Sequence, residues 1–346
     1  MERLPEAVEG EADLDELLSA PSQALVDLMR RLEGDIMILG IGGKMGSTLG
    51  GAAVRAIAEA GVRKQVFGVS RFSDSSIREG LEARGIKTLS CDLLNRDSVR
   101  QLPHVANIIY MVGRKFGTAG SEHLTWATNV LVPDNVCHHF PESRWVAFST
   151  GCVYPLVSAE SGGCTESMPT DALGEYAQSS LGRERVFDYW SRTAGIPVCL
   201  VRLNYAVDLH YGVLYDVGSR VAQGEPVDLA VSHFNVIWQG DAACQALLCL
   251  EHCSSPPEIL NVTGPETVSV RFVAETFARY FGTEARFTGE KTGALMYLSN
   301  AARATSMFGY PRVPLLTMIR WQAAWIQQGG RSWGKPTHYG VVDGKF

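Results

Sequence analysis

The sequence has 346 residues, 46% of them apolar and 20% charged, and a formal net charge of -6. That size accommodates one large or two smaller domains, with apolar residues enough for a substantial core. An acidic balance without any basic block excludes non-specific binding to nucleic acid or to an acidic membrane, and no apolar run approaches the roughly 18 residues of a membrane span.

The opening stretch "MERLPEAVEGEADLDELL" is acidic and lacks the basic-then-apolar order of a signal peptide. Ser19 and Pro21 start a helix through "SQALVDLMRRL" and Gly34 stops it, so residues 1–34 read as a helical extension. Asp35 to Leu39 is an apolar run of the buried-strand type. A glycine-rich turn follows, then a helix from Ser47 to Glu59 rich in small residues. Further strands are expected at 65–70, 87–90, 107–112, 145–149, 197–202 and 258–262, with helical patterns between most of them. Apolar strands alternating with helices predict a parallel sheet covered on both faces.

The remaining segments break the alternation. Residues 204–235 are mixed, with Gly-Glu-Pro as a turn and "HFNVIW" as a strand running past 235. Residues 263–346 are mainly helical and end in a tail punctuated by Gly and Pro. The fold class is therefore α/β: a Rossmann-type doubly wound parallel sheet from 35–203 and 236–262, with a smaller, mixed C-terminal substrate-binding lobe from 204–235 and 263–346.

Eight cysteines form no CxxC pair. Cys244, Cys249 and Cys253 match no zinc spacing, and "CHHF" at Cys137 to Phe140 puts adjacent side chains on different sides of a helix, so no metal site is expected. The cysteines read as buried free thiols in a reducing cytoplasm.

"LGIGGKMG" places Gly40, Gly43 and Gly46 between the first strand and its helix, with Lys44 and Met45 inside the loop. Glycine suits a tight turn whose backbone approaches a pyrophosphate, with the helix N-terminus offering free N–H groups. The position after the first buried strand turns a weak glycine pattern into a strong dinucleotide signal. At the end of the second strand stand Ser70 and Arg71, with no carboxylate for a ribose 2′-hydroxyl. Arg71, assisted by Lys44, suits a 2′-phosphate, which favours NADP over NAD.

Further segments extend the pattern: "CDLLN" after the third strand, "FSTGCVYP" at 148–155, "VRLNYA" after the sixth strand and "NVTGPETVSVRFVAE" at 261–275. Together they resemble the extended short-chain dehydrogenase/reductase family, the group of sugar epimerases and dehydratases. The resemblance implies Asp92 and Leu93 at the adenine. It implies Val112 and Gly113 of "MVGRKFG" and Asn204 beside the cofactor, and a structural Asn129. Thr150 takes the position whose hydroxyl bonds the reacting oxygen. Family dehydratases carry Thr-Asp-Glu there; Thr150-Gly151-Cys152 disfavours a 4,6-dehydration, and Cys152 reads as a small packed thiol.

Tyr176, 26 residues after Thr150, matches the catalytic tyrosine of the family's Tyr-x-x-x-Lys motif, but Ser180 stands where the lysine belongs. A free tyrosine has a pKa of about 10. Proton transfer near neutrality needs a nearby positive charge, which serine does not supply. Three explanations stay open: the cationic nicotinamide lowers the pKa, a cation from another segment fills the vacancy, or chemistry has been lost. Lys115, or Arg114 beside it, is the candidate cation. Arg183, on the same helical face as Tyr176, is expected to lie too far away.

The resemblance implies an NAD(P)-dependent oxidoreductase or epimerase acting at a carbinol carbon of a sugar-like small molecule. It also implies a homodimer formed through the Tyr176 helix and the helix around Asn129, burying residues such as Leu181 or Val186. The family's "NVYGP" appears here as "NYAVDLHYG", which weakens a nucleotide-sugar assignment; Asn204, Tyr205, His210 and Tyr211 become candidate lid or substrate contacts. The rival class is a catalytically impaired dinucleotide-binding sensor or interaction protein.

Overall fold

The computed structural model describes residues 4–344 apart from 116, 118, 119, 291 and 336. Seven strands form the main sheet: β1 (Ile36–Leu39), β2 (Val66–Ser70), β3 (Lys87–Ser90), β4 (Asn107–Tyr110), β5 (Arg144–Thr150), β6 (Val198–Leu203) and β7 (Glu258–Val262). Their spatial order is β7-β6-β5-β4-β1-β2-β3, with every neighbouring pair parallel. The order reverses between β1 and β4, so a ligand crevice is expected outside the carboxyl ends of those strands.

All four residues of β1 are buried because helices cover both faces. On one side, Gly46–Ala60 turns Leu49, Ala52, Ala53 and Ala56 into the core, beside Gln23–Arg31 and Gln239–Leu248. The small alanines let this helix approach the strands closely. On the other side, Val132–His139 and Gly174–Ala194 bury Val136 and Phe187 against Ile108, Tyr110 and Trp145. The expected helix 47–59 is thus realised with one extra residue at each end.

The N-terminal extension holds two helices, Glu11–Ser19 and Gln23–Arg31. The second starts later than Ser19 suggests, because the Ser22 hydroxyl accepts the Leu25 N–H and caps it. Ser19 instead closes the first helix.

In the C-terminal lobe, Val213–Ala222, Val270–Phe281 and Leu315–Gln327 pack around Val217, Phe277 and Trp321. The strand expected in "HFNVIW" divides. His233–Phe234 pairs antiparallel with Val268–Ser269, whereas Ile237–Trp238 pairs parallel with Ala206–Val207. Asn235 makes the break: its amide donates to the Glu266 carbonyl and its side-chain oxygen accepts the Ser299 N–H.

The tail runs back across this lobe. The Trp333 N–H donates to the His210 carbonyl, Thr337 donates from both N–H and hydroxyl to Asp216, and the Tyr339 ring meets Phe234 edge-on. Gly344 then lies against Gly174, where an added Cβ would stand 2.2 Å from the Gly344 carbonyl oxygen. The tail therefore reaches the first turn of the Tyr176 helix.

Candidate active site

Two connected spaces open at the carboxyl ends of the strands. The outer cleft, about 620 Å³, lies along the ends of β1 to β4. The inner cavity, about 310 Å³, lies between the Tyr176 helix and the C-terminal lobe. Gly40, Gly43 and Met111 line both.

The glycine loop sits at their junction. Gly40 has φ +88°, a left-handed conformation that favours glycine, and Gly46 packs so tightly that a Cβ would fall 1.8 Å from the Ile41 carbonyl oxygen. A Cβ at Gly43 would approach no side chain, only the Gly40 carbonyl at 3.3 Å, so it would occupy the cleft itself. That open backbone fits a pyrophosphate.

Of the residues expected at a dinucleotide, Gly40, Gly43, Ser70, Arg71, Asp92, Leu93, Val112 and Gly113 line the outer cleft. Met45, Lys44, Asn204 and Tyr176 line the inner cavity, with Thr150 and Lys115. Gly46 lines neither and serves packing. Lys44 corrects the sequence expectation: it does not join Ser70 and Arg71. Its ammonium lies 3.8 Å from the centroid of the Tyr211 ring and 5.6 Å from that of Trp333. The loop backbone carries the chain toward the lobe at that point, so the side chain leaves the adenosine side.

Arg114 and Lys115 also separate. Arg114 lines the outer cleft and its guanidinium donates to the Gly117 carbonyl at 2.9 Å. Lys115 enters the inner cavity with its ammonium 5.8 Å from the centroid of the Tyr176 ring. The Arg114 backbone is held by Asn129, which occupies a π-helical turn at Ala127–Leu131. The Asn129 side chain accepts the Arg114 N–H at 2.9 Å and Arg183 Nη2 at 2.7 Å, and donates to Ser179 Oγ at 2.8 Å.

Thr150 and Tyr176 come together as the spacing suggested. Thr150 Oγ1 accepts the Cys152 N–H at 3.2 Å, so it caps a turn as well as facing the cavity. Burial raises the Tyr176 pKa, reinforced by Cys152; the Thr150 hydroxyl, the Arg183 charge and the Ser180 hydroxyl oppose the shift. Arg183 thus corrects its dismissal as too distant. It is buried beneath the site, donating Nη1 to the Phe148 carbonyl at 2.9 Å. The Ser180 side chain is fully buried, and its oxygen makes no hydrogen bond of ordinary geometry among the described residues.

Burial lowers the Lys115 pKa, with Cys152 opposing. Burial also pushes Lys44 down to about 8; Asp208 and Asp216 oppose this and Lys115 adds to it. Beneath the cavity, Arg202 forms a buried two-pronged ion pair with Glu184 at 3.0 and 2.7 Å. The same carboxylate accepts the Ser149 hydroxyl.

Tyr205 and Tyr211 line the cavity, and Tyr205 adopts φ +40°, strained for a bulky residue. His210 does not: it faces Glu11 at 2.9 Å and stacks on Trp333. Thr337 also lines the cavity. No motif marks it, since it arrives from the tail by tertiary folding alone. Among the described residues no group of three or more His, Cys, Asp or Glu could hold a metal.

The family model described as "NAD dependent epimerase/dehydratase family" matches residues 36–214, more than half of the chain. No curated protein sequence matches significantly. Solved structures do. UDP-glucuronic acid 4-epimerase from Bacillus cereus, in complex with NAD, aligns at TM-score 0.68 and 17% identity, over 85% of this chain and 96% of that one. A dTDP-glucose 4,6-dehydratase from Streptomyces venezuelae, with NAD bound, aligns at 0.69 and 17%, over 85% and 97%. UDP-glucose 4-epimerase from Thermus thermophilus, complexed with NAD, aligns at 0.65 and 19%, over 85% and 99%. At these identities the solved structures show a shared fold. The sheet order, the glycine loop and the matched segment agree: the chain belongs to the NAD-dependent epimerase/dehydratase family.

Proposed function

We propose that this protein is an NAD(P)-dependent oxidoreductase or epimerase acting at a carbinol carbon of a sugar-derived small molecule. The observation that carries this reading is the convergence of Thr150, Tyr176 and Lys115 in one cavity continuous with the glycine-loop cleft. A nicotinamide dinucleotide, when bound, would supply the hydride acceptor or donor. Gly43 and the loop backbone would hold its pyrophosphate, Asp92 and Leu93 its adenine, and Val112 and Gly113 its middle.

Thr150 Oγ1 would orient the substrate oxygen and the Tyr176 hydroxyl would exchange its proton. Lys115 at the Tyr176 ring and Arg183 below it would share the electrostatic work left by Ser180. Ser70 and Arg71 at the end of β2 support NADP over NAD; Asp74 in the same wall is engaged in capping, accepting the Ser76 N–H and hydroxyl. A homodimer through the Tyr176 helix and the Asn129 helix, in the cytoplasm, belongs to the same reading. Leu131, 56% exposed, and Trp126 and Tyr189, also exposed, support that face.

The test pairs Tyr176→Phe and Thr150→Val with a hydride-transfer assay over sugars, polyols and sugar acids. Losses of roughly 10²–10⁴ in kcat are expected, with NADPH binding retained by fluorescence titration. Turnover unchanged in Tyr176→Phe would sink the reading. Tight cofactor binding with no turnover by the native protein on any substrate would favour the second reading, a dinucleotide sensor. One observation supports that alternative: the net effect of the site on Tyr176 is to raise its pKa.

A further inference from the structure

We infer that the inner cavity takes a small sugar-derived carboxylate, not a nucleotide-linked sugar, and that Lys44 holds the carboxylate. This deepens the function proposed above and rests on it.

Two independent observations lead there. The first is the shape of the space. The cavity measures about 310 Å³, and any nicotinamide reaching it past Gly40, Gly43 and Met111 would share that volume. The protein's own tail forms part of the cavity wall. Thr337 is buried, lines the cavity and is fixed to Asp216 through both of its donors. Tyr339 and Val342 fill the lobe beside Val231, Met296 and Leu298. A nucleoside diphosphate joined to the sugar would exceed the space left beside a nicotinamide. A molecule of about six carbons would not.

The second observation is the charge. The Lys44 ammonium enters the cavity over the faces of Tyr211 and Trp333, which stabilise a cation without neutralising it. Asp208 and Asp216 attract it, and Lys115 repels it. Both carboxylates also hold neutral donors. Asp208 accepts the His210 and Tyr211 N–H groups, each at 2.9 Å, and Asp216 holds Thr337. Lys115, which also lines the cavity, adds positive charge. The attraction of Asp208 and Asp216 only partly offsets the cost of enclosing the Lys44 ammonium beside Lys115, and its pKa is still lowered. An anionic group on the substrate offsets the remainder, and the aromatic faces fix where that group lies.

The test is calorimetric titration of the protein saturated with NADP⁺, using D-gluconate and D-glucuronate against D-glucitol, D-glucose and UDP-glucose. Both acids should bind at least about 30-fold more tightly than the neutral compounds, the scale of a charge-assisted contact. UDP-glucose should not bind. In Lys44→Met the preference for acids should collapse to within about threefold, while the NADP⁺ affinity changes by less than about threefold. Acid binding by the native protein should weaken as pH rises through about 8, where Lys44 loses its proton.

Equal binding of acids and neutral compounds, binding of UDP-glucose, binding of none of the compounds, or acid binding unaltered in Lys44→Met would each overturn the inference. So would a Lys44→Met protein that loses NADP⁺ affinity yet keeps its preference for acids. Turnover of a neutral polyol would sink this inference and leave the oxidoreductase reading standing. Carboxylate binding with no hydride transfer on any compound would do the reverse.

Discussion

The Lys115 ammonium lies 5.8 Å from the centroid of the Tyr176 ring, delivered from the loop after β4 to a helix that begins after β5. A cation therefore approaches the tyrosine from across the cavity, in addition to Arg183 on the tyrosine's own helix. Replacing Lys115 with Met removes charge that favours the phenolate, so the phenol pKa rises. The acidic limb of the kcat/KM profile should move up by about one pH unit, with turnover at pH 7 falling roughly 10- to 100-fold. NADPH binding should hold. A profile that does not move would remove Lys115 from the chemistry.

Restoring the family's lysine should harm this protein. Ser180 is fully buried, and the site already contains Arg183 and Lys115. Ser180→Lys would add a third cation to a buried space, costing about 2–4 kcal/mol in urea unfolding. The cost should shrink in a Lys115→Met background, where one competing cation is gone, and turnover there should partly recover. Equal destabilisation in both backgrounds would show that the three positions are not electrostatically linked.

Cofactor choice is expected to rest on Arg71 in the wall of the outer cleft. Arg71→Ala should reduce the ratio of NADP⁺ to NAD⁺ affinity by roughly 10- to 100-fold, almost entirely through NADP⁺. Competitive fluorescence titration reads both constants. An unchanged ratio would place the selectivity elsewhere.

The Arg202–Glu184 pair, with side chains only 4% and 3% exposed, braces the Tyr176 helix against β6. Glu184→Ala would strand a buried guanidinium and free the Ser149 hydroxyl. A loss of about 3–5 kcal/mol is expected in chemical denaturation. A loss under about 1 kcal/mol would mean that water replaces the carboxylate there.

Leu131 stands exposed on the helix proposed as an interface. Leu131→Glu should convert a dimer to a monomer in light scattering without lowering the melting temperature of the monomer. A native protein that is monomeric at micromolar concentration would overturn the homodimer directly.

The sheet was legible because its central strands are buried on both faces. Ile36–Leu39 and Ile108–Tyr110 read as uninterrupted apolar runs, and all seven strands formed within a few residues of expectation. Thr150, Tyr176 and the glycine loop carried fixed local spacings, which a chain displays without tertiary information. What stayed hidden was direction. Lys44 and Arg71 were read as partners because both flank a dinucleotide, yet the first turns into the inner cavity and the second into the outer cleft. Arg183 was judged by its distance along the helix, whereas its influence on Tyr176 acts through space in a buried environment. Thr337 had no signal at all, because its role depends on a tail folding back onto Asp216. The short bridging strands escaped for a similar reason: "HFNVIW" reads as one strand but is split by the side-chain bonds of Asn235.

The N-terminal extension touches both halves of the molecule. Arg312 of the C-terminal lobe donates to the Ala20 and Pro21 carbonyls and pairs with Asp241, on a helix packed against the sheet. Glu11 meets His210 of the lobe. These contacts act as a clasp against rocking of one half over the other. Access to the inner cavity is then expected through peeling of the tail, held at Thr337 by one carboxylate, and not through a hinge. Hydrogen exchange should show it: fast amides across 333–344, slow ones in the helices Glu11–Ser19 and Gln23–Arg31, and a slowing confined to the tail when ligand binds. Slowing spread across the clasp would instead reveal a hinge.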